Sequence, residues 1–487
     1  MSNAPTLSLR DFESFGDVAA EEDAVLEYFL ATSAVGTIES GKAFLALGRK
    51  GTEKTALVRY FTERNDEGLS KPLNLREYPW SVHAKRIDYG ASSIEAYVSS
   101  WRYLISVQLA TLVLSQTKYL HSDDARALLE FLTDNYGSSN PQLSDIIRPK
   151  RLKLTALSLK PAVMGNQLGG VDLDRSKKDH DFGVEINALS DAIMKSVIIV
   201  ARMAGVSSLN LHFDELDQGL SHLDDEKKSM LVGLVLAARE VRREASKEQF
   251  DINPIVYVRS DIWEELQFSD KNKISQSLTF NITWNSDSLL ALVDARLRAK
   301  LGGNESWRTI AEPALMRGSQ PKWNHILART FLRPRDIISF LNIILKEAKK
   351  RSENPLLINN KDIVSSRDEY SAYLKSELDD EIGPHWPHWD EALKACSAVS
   401  TITFEKNEFI TQYNSRKSKH NDVTADEALA LLYRFSVIGY ERRSGYGGSG
   451  WAFQYTDPEA GWDNSATRFK VHLGLKEYAK LREARAG

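Results

Sequence analysis

The chain of 487 residues contains one cysteine and lacks any long apolar run. A single cysteine excludes an intrachain disulfide framework and a cysteine-based zinc cluster, and it is typical of a reducing compartment. Small residues flank Cys396, which favours a packed side chain over a nucleophile. No run approaches the ~18 apolar residues that a membrane-spanning helix needs. We therefore expect no membrane partner.

A strong excess of one charge is also missing, because 63 basic residues stand against 67 acidic ones and give a net charge of -4. Such a balance provides no overall field for nucleic acid, so nucleic-acid contact would need a local patch. Residues 1–15 lack the basic-then-apolar order of a secretion signal. The sequence predicts a cytoplasmic, folded protein with two or three domains.

What the chain does contain is a phosphate-binding pattern between an apolar strand at residues 44–47 and a helix with apolar residues at helical spacing. The pattern G-x-x-x-x-G-K-[ST] is matched at every defining position except one by Gly48-Arg49-Lys50-Gly51-Thr52-Glu53-Lys54-Thr55. Glycines at 48 and 51 permit a tight turn and a close approach of the backbone to phosphate oxygens. These residues, Thr52 included, predict a nucleotide site.

Two side chains at the end of this loop carry the chemistry. Lys54 supplies a positive charge for the β- and γ-phosphates of ATP, and the Thr55 hydroxyl is placed to hold Mg²⁺. Backbone N–H groups at the helix start complete the anion site. Lys54 is accordingly a candidate catalytic residue as well as a phosphate ligand.

The exception is Glu53, which stands where the pattern requires glycine. A Cβ crowds the backbone there, and an inward carboxylate repels phosphate by ~4 kcal/mol at ~4 Å and an effective dielectric of ~20. That is roughly a thousandfold in affinity. A side chain that turns outward costs little. The sequence leaves both orientations open, so hydrolysis is less secure than binding.

An apolar strand at 209–213 ends in Asp214 and Glu215, the usual companions of a phosphate loop. Asp214 can reach Mg²⁺ through water, and Glu215 can act on the attacking water as the catalytic base. Acids also cap helices, so the pair gains its meaning from the loop at 48–55. Asp214 follows Thr55 by 159 positions (214 − 55), which implies a helical insertion at about 75–190.

Three arginines are candidates for sensing phosphate. Arg259 ends the apolar strand at 255–258, and its alternative role is an ion pair with Asp261. Arg333 and Arg335 flank Pro334 at a helix start in the segment FLRPRDII. For these two the alternative is a surface pair between Arg335 and Asp336, worth under ~1 kcal/mol.

The final hundred residues read as helices followed by a glycine-rich hairpin, which is typical of a winged helix. Arg442 and Arg443 at the hairpin are candidates for DNA contact. The alternative is an internal regulatory arm, which the net acidic chain favours. A basic segment at 148–160 is interpreted as a solvated face rather than a nucleic-acid patch.

These features predict an α/β fold, a P-loop NTPase core with a helical insertion and a helical lid, plus a C-terminal winged-helix-like domain. The predicted boundaries are a helical approach segment at 1–40, the nucleotide-binding core at 41–301, the lid at 302–385 and the winged helix at 388–487.

The chain resembles a family of bacterial P-loop ATPases related to the STAND and AAA+ ATPases. The resemblance covers most of the chain and is carried by AAEED…YFLAT at 19–32, GRKGTEKTAL at 48–57, YPWSVH at 78–83, HFDELDQG at 212–219, RSDIWEEL at 259–266, FLRPRDII at 331–338, and the C-terminal FSVIGYERR and FKVHLGLKEY. It implies a nucleotide-gated switch that uses ATP and Mg²⁺, with relatives often encoded in bacterial defence or mobile-element regions.

Three functional hypotheses follow. The favoured one is an ATP-binding switch in a bacterial complex, in antiphage defence, with a separately encoded partner or effector and room for a homo-oligomer. The second is a pseudo-ATPase scaffold, in which Glu53 fills or repels the phosphate site. The third is a winged-helix DNA-binding regulator that uses residues 436–455.

Overall fold

The apolar runs at 44–47 and 255–258 form neighbouring strands of a parallel sheet in the computed structural model. The chain divides into two compact units: the sheet unit, residues 31–49 and 54–283, and the C-terminal unit, residues 1–30, 50–53 and 284–487. The structure describes residues 9–17, 25–64, 68–76, 78–80, 83, 93–115, 121–147, 151–153, 172–174, 180–216, 224–443 and 449–483.

The strands of the sheet unit are β1 (Leu45–Gly48), β2 (Leu69–Asn74), β3 (Arg151–Lys153), β4 (Asp172–Asp174), β5 (Ser208–Asp214), β6 (Asp251–Arg259) and β7 (Thr279–Asn281). Five of them form one parallel sheet in the order β2-β5-β6-β1-β7, while β3 and β4 form a separate antiparallel pair. The central strands are buried on both faces, which explains their continuous apolar runs.

Helices surround this sheet: α1 (Ser33–Glu39), α2 (Lys54–Thr62), α3 (Ser93–Leu114), α4 (Asp123–Tyr136), α5 (Leu143–Ile147), α6 (His180–Met203), α7 (Asp225–Lys247), α8 (Ser260–Glu265) and α9 (Lys271–Ser277). The insertion predicted at about 75–190 thus contains α3 to α5 and the first part of α6. Ser122 caps the start of α4.

The C-terminal unit is mainly helical, with α10 (Ser286–Leu301), α11 (Trp307–Ile310), α12 (Lys322–Leu327), α13 (Pro334–Arg351), α14 (Asn360–Ser365), α15 (Arg367–Ile382), α16 (Trp389–Val399), α17 (Lys406–Arg416) and α18 (Ala425–Arg434). Its strands β8 (Thr403–Glu405), β9 (Ile438–Arg443), β10 (Ser449–Ala452) and β11 (Arg468–Val471) form a sheet in the order β10-β9-β11-β8. The winged-helix assignment of this region stays a prediction.

The predicted helical approach segment is helical only in part. Residues 25–30 contain only a 3₁₀ turn, Val25–Glu27, and the helix starts after Thr32, whose extended backbone interrupts the apolar run. Leu9, Phe12 and Phe15 of the segment join the core of the C-terminal unit.

Tyr78 and Trp80 are buried against Trp101 of α3. Burial brings the His83 ring into hydrogen-bond range of the Tyr78 hydroxyl at 2.8 Å and the Ser100 hydroxyl at 2.8 Å. Pro79 therefore turns the chain inward, and His83 is the satisfied structural residue that the sequence favours.

Several sequence segments lie outside the described residues. These are the AAEED stretch, most of 148–160, Asp217 and the hairpin tip at 444–448. Among the helices that the structure does describe, none combines the length and apolarity that crossing a membrane requires.

The contact between α3 and α7 generates a first prediction. A Cβ added to Gly233 of α7 would lie 2.5 Å from the Tyr97 Cβ of α3, whereas a Cβ on Gly36 of α1 meets nothing within 4 Å. Gly233→Ala should therefore lower the free energy of unfolding by about 1–3 kcal/mol, although alanine is the better helix former. Denaturant melts followed by circular dichroism measure the change.

Gly36→Ala is the matched control, because it makes the same substitution in an open helix position. It should stabilise the chain by up to ~1 kcal/mol. Equal effects of the two substitutions would show that α3 and α7 do not approach as closely as described.

Candidate nucleotide site

The predicted phosphate loop joins β1, which ends at Gly48, to α2, which begins at Lys54. Gly51 has φ +81°, a left-handed conformation that favours glycine. A Cβ on Gly51 would also lie 2.9 Å from the Cβ of Arg335. Two independent constraints therefore fix glycine at this position.

Lys54 folds back over its own loop. Its Nζ donates to the Gly48 carbonyl at 3.0 Å and to the Arg49 carbonyl at 2.9 Å. Thr55 follows in the first turn of α2, where backbone N–H groups are not yet engaged in helix hydrogen bonds. The ammonium and the helix start together make a region suited to an anion.

The parallel register brings the predicted acidic pair to the same sheet edge as the loop. Gly48 at the end of β1 aligns with Arg259 at the end of β6, and Phe213 of β5 aligns with Val256 of β6. Asp214 therefore ends its strand at the carboxyl edge, where the phosphate loop also begins. Strand ends at one edge are where parallel α/β sheets bind ligands.

Both acids are buried: the exposed fraction is 6% for Asp214 and 5% for Glu215. Glu215 has φ +57°, a strained conformation for a residue with a side chain. Burial raises the pKa of Tyr257 well above its ordinary value, and the negative charge of the Asp214 carboxylate raises it further.

Arg259 makes the alternative contact that the sequence offered. Its Nε and Nη2 donate to the two carboxylate oxygens of Asp261 at 3.1 and 2.6 Å. This bidentate pair lies at the start of α8. A phosphate-sensing role for Arg259 stays a prediction.

Glu53 occupies its non-glycine position with φ +70°. Its carboxylate Oε1 lies 4.0 Å from Nη2 of Arg296, whose side chain is almost fully buried in α10. The negative charge of Glu53 therefore lies close to a positive one. The sequence did not determine the orientation of the Glu53 carboxylate, and in the structure it faces Arg296.

Arg296 is itself held by the N-terminal segment. Its Nη1 donates to the Phe15 carbonyl at 2.9 Å, and its guanidinium lies 4.5 Å from the centre of the Tyr28 ring. Burying a guanidinium is costly unless such partners compensate for the lost water. The residues that precede the sheet therefore position the countercharge of Glu53.

The segment FLRPRDII, at the start of α13, forms a buried cluster of ion pairs and hydrogen bonds. Arg333 donates through Nε and Nη2 to the Asp336 carboxylate at 3.0 and 2.9 Å, and Asp336 also accepts from the Phe331 N–H at 2.9 Å. Nη1 of Arg333 donates to Glu381 and to the Lys50 carbonyl. The expected alternative, a surface pair between Arg335 and Asp336, is wrong because Asp336 is fully buried against Arg333.

Electrostatics keep this cation charged. Burial alone would lower the pKa of Arg333, but the adjacent Asp336 and Glu381 carboxylates raise it well above its ordinary value. The Arg333 guanidinium therefore donates hydrogen bonds to two carboxylates and to one loop carbonyl. These contacts position the loop, and a phosphate-sensing role for Arg333 stays a prediction.

Arg335 is the more exposed arginine, with 26% of its side chain accessible. Its Nη1 lies 3.4 Å from Glu377 of α15. Lys50 at the loop tip reaches the same acidic side of α15, at 2.8 Å from Asp380 and 3.4 Å from Glu377. Arg335 of the predicted lid and Lys50 of the loop therefore both pair with the Glu377 carboxylate.

Sequence reasoning missed several residues that hold the loop tip. Trp284 donates from Nε1 to the Thr52 carbonyl at 3.1 Å, and Glu377, Asp380, Glu381 and Arg296 act as described above. No local motif marks them, because each lies more than 200 positions from the loop. Only a three-dimensional arrangement reveals such partners.

The predicted DNA contacts are only partly described. Arg442 is exposed and pairs with Asp457 at 2.9 Å, which is a surface ion pair. The side chain of Arg443 and the hairpin tip lie outside the described residues. The DNA hypothesis is therefore neither supported nor weakened by these positions.

The donor chemistry fits the predicted cofactor. The hydroxyl of Thr55 and the carboxylate of Asp214 are hard oxygen ligands of the kind that Mg²⁺ prefers when phosphate completes its shell. In the part of the chain that the structure describes, no group of three or more His, Cys, Asp or Glu side chains is placed to hold a metal ion.

Comparisons with known proteins place this geometry in context. A family model described as the FunZ-associated C-terminal helical domain matches residues 287–379. No curated protein matches the chain. Among solved structures, the ORC1 protein of Aeropyrum pernix in complex with DNA is 13% identical with a TM-score of 0.34, and Cdc6p from Pyrobaculum aerophilum is 13% identical with a TM-score of 0.27. Both similarities cover 90% of this chain and 86% of the other.

The chain is an α/β protein, with a five-stranded parallel sheet in one unit and a mainly helical C-terminal unit. This confirms the predicted α/β class, and the assignment of the sheet unit as a P-loop NTPase core stays a prediction. The roles of the individual site residues stay predictions.

The Glu53–Arg296 contact generates a prediction about nucleotide affinity. Arg296→Met leaves the Glu53 carboxylate without its nearby cation, so its repulsion of phosphate is felt. ATP affinity should fall about tenfold or more. This loss is a fraction of the ~4 kcal/mol by which two unit charges interact at ~4 Å and an effective dielectric of ~20. In a Glu53→Gln chain the same substitution should cost less than threefold. Calorimetric titration of ATP measures all four affinities.

The double-mutant cycle separates charge from packing, because both Arg296→Met chains lose the bond to Phe15. Arg298→Met, an exposed change on the same helix, should leave affinity unchanged. Equal losses with glutamate retained and in the Glu53→Gln background would contradict an electrostatic link.

The two arginines of FLRPRDII should behave oppositely in stability. Arg333→Met leaves two buried carboxylates without their cation, and breaking such a pair costs about 3–5 kcal/mol. Arg335→Met removes a half-exposed ion pair worth under ~1 kcal/mol. Denaturant unfolding of the two variants, followed by circular dichroism, compares their midpoints. Similar midpoints would show that the Arg333 cluster does not hold the lid together.

Proposed function

We propose that the chain is an ATP-binding molecular switch. The observation that supports it most is the sheet edge, where the Lys54 loop and the Asp214–Glu215 strand end lie together as they do in P-loop ATPases. The choice of ATP comes from the family that the sequence resembles.

Each residue has a definite task under this proposal. Lys54 leaves its loop carbonyls to meet phosphate, and the α2 N–H groups bind the remaining oxygens. Thr55 and Asp214 hold Mg²⁺, which neutralises phosphate charge when it is bound. Glu215 orients water as a general base, and its burial shields that water from bulk solvent.

Arg335 is the better candidate for the phosphate sensor. Arg333 already serves Asp336, Glu381 and the Lys50 carbonyl, so moving it would break a buried cluster. In the part of the chain that the structure describes, Arg335 lies 3.4 Å from the Glu377 carboxylate, a weak ion pair, and packs on Gly51 of the loop. Exchanging that partner for phosphate costs less.

Occupancy is transmitted through the loop tip. Residues 50–53 are held in the C-terminal unit by Lys50–Asp380, Trp284–Thr52 and the Arg333–Lys50 bond. Phosphate competes for the cations and N–H groups of the same short loop. A nucleotide that binds better to one arrangement of these contacts shifts the population toward it.

The wider setting rests on the resemblance alone. It includes a bacterial complex, a role in antiphage defence, a separately encoded effector and a homo-oligomer. A cytoplasmic location is proposed from the single cysteine, and a nucleic-acid partner is proposed from Arg442 and Arg443 at the glycine-rich hairpin.

A pseudo-ATPase scaffold is the second candidate function, and two observations favour it. Glu53 occupies the glycine position of the loop with a left-handed backbone. Arg259, at the strand end beside Asp214, is bound to Asp261. In such a chain Glu53 would fill or repel the phosphate site, so that nucleotide is neither bound nor hydrolysed.

The experiment combines binding and turnover. ATP with Mg²⁺ should quench or enhance the fluorescence of Trp284, because that indole bonds to the loop at Thr52, and the change should vanish in Trp284→Phe. Lys54→Ala should weaken ATP binding at least tenfold, since it removes the main cation of the loop. Glu215→Gln should keep binding and abolish any release of phosphate.

Lys195→Ala and Glu130→Gln are matched controls, because both side chains are exposed on helices of the sheet unit. Binding that requires Lys54 supports the switch whether or not phosphate is released. Absence of both ATP binding and phosphate release in the unaltered chain would contradict the switch and favour the scaffold.

A further inference from the structure

A second cavity lies in the sheet unit, away from the phosphate loop. Its volume is about 850 Å³, within the usual range for small-molecule sites. Ser208 and Asp251, the first residues of β5 and β6, line it. The cavity therefore opens at the amino edge of the sheet, whereas Gly48 and Asp214 end their strands at the carboxyl edge.

The floor of this cavity is polar where an apolar surface is expected. Ser208, Asn210 and His212 alternate along β5, so they share one face of the strand. A parallel sheet covered on both faces normally presents apolar side chains there. The opposite face of β5 follows that rule, with fully buried Leu209 and Leu211.

Amide groups form a network across the floor. Asn253 of β6 donates to the Asn210 side-chain oxygen at 3.1 Å. The Asn210 amide nitrogen lies 3.4 Å from both the Ser70 and the Ser208 hydroxyl oxygen, and at this length both hydrogen bonds are weak. Such long bonds are readily exchanged for those of a ligand.

His212 adds a buried polar atom beneath the floor. Its Nδ1 lies 3.0 Å from the Tyr257 hydroxyl, and its Nε2 has no hydrogen-bond partner in the part of the chain that the structure describes. Burial lowers the pKa of His212 to about 3, so the ring is neutral at physiological pH. An unsatisfied buried group of this kind is costly, and function is one reason to keep it.

The rim of the cavity is cationic. Arg239, Arg242 and Arg243 fall at i, i+3 and i+4 of α7, and Lys42 lines the same opening. Two acids, Glu39 and Asp251, also line it. Arg239 already pairs with Asp270 at 2.5 Å, and Arg243 lies 3.7 Å from Glu244. Arg242, the exposed Arg243 and Lys42 are therefore the rim cations that an anion would meet.

We propose that this cavity binds a small organic anion. Its phosphate or carboxylate group would meet Arg242 and Arg243, and its polar body would bond to the amides of Asn210 and Asn253. Aromatic side chains of Phe44, Phe61 and Phe250 complete the lining.

The test uses the full-length Lys54→Ala chain, so that phosphate binding at the loop does not interfere. Ribose 5-phosphate and AMP represent phosphates without and with an aromatic body, and citrate represents carboxylates. Each is titrated by calorimetry at physiological salt. We expect saturable binding of at least one of the three.

Arg242→Met and Arg243→Met should each weaken that binding at least tenfold. Two variants are needed because Arg242 also donates to the Gly41 carbonyl and supports the fold, whereas Arg243 is exposed. Arg126→Met, which removes an exposed arginine of α4, should leave affinity within twofold. Absence of binding by all three anions, or binding that is indifferent to both rim arginines, overturns the proposal.

Asn210→Leu tests the floor separately. It replaces an amide by an apolar group of similar size, so it should weaken anion binding at least tenfold without lowering the thermal midpoint of unfolding. Retained binding overturns the assignment of the floor. Preferential binding of citrate identifies the ligand as a carboxylate, and preferential binding of the two phosphates identifies it as a phosphate ester.

Discussion

The buried guanidinium of Arg333 is the interaction on which the candidate site depends most. It joins Asp336 at the start of α13, Glu381 near the end of α15 and the carbonyl of Lys50 at the loop tip. Burying charges is expensive, and one cation between two carboxylates leaves a net negative cluster. The bidentate geometry and the Phe331 N–H that Asp336 accepts offset part of this cost. Because the loop carbonyl is an acceptor of the same cation, the position of the loop tip is tied to the lid's stability.

Two residues with a left-handed backbone adjoin the contacts of this cluster. Glu53 of the loop tip and Leu332 beside Arg333 have φ of +70° and +52°, although neither is glycine. Each left-handed residue costs roughly 1–2 kcal/mol. Such conformations persist where the surroundings overdetermine them, and they occur often at functional sites. Here Leu332 immediately precedes Arg333, so the strained turn is what directs the guanidinium back to Asp336.

Local sequence patterns were sufficient for β1 and for the carboxyl half of β6, because strands that are buried on both faces carry continuous apolar runs. They were also sufficient for the position of the loop between β1 and α2, because the loop is a contiguous motif. Strand β2 was not predicted, because LSKPLN is polar and contains Pro72. An edge strand tolerates both features, since one side of its backbone needs no partner strand.

Partners that are distant along the chain could not be predicted in this way. Phe15 and Arg296 are 281 residues apart, and Arg333 and Lys50 are 283 apart. Their pairing depends on how whole elements pack, which no local period encodes. The amino-edge cavity has the same origin, because Asn210 and Asn253 became neighbours only through the register of β5 and β6.

Glu53 shows how an apparent defect in a motif divides into separate physical effects. Its left-handed backbone is strained whether or not a ligand is bound, so this cost lowers stability and cancels from the binding equilibrium. Its charge is different, because repulsion of phosphate appears only when the ligand arrives. Arg296, at 4.0 Å, acts on that second effect alone. A glutamate in the glycine position is therefore compatible with nucleotide binding to the extent that its countercharge stays in place, and the N-terminal segment that holds Arg296 becomes part of the conditions for binding.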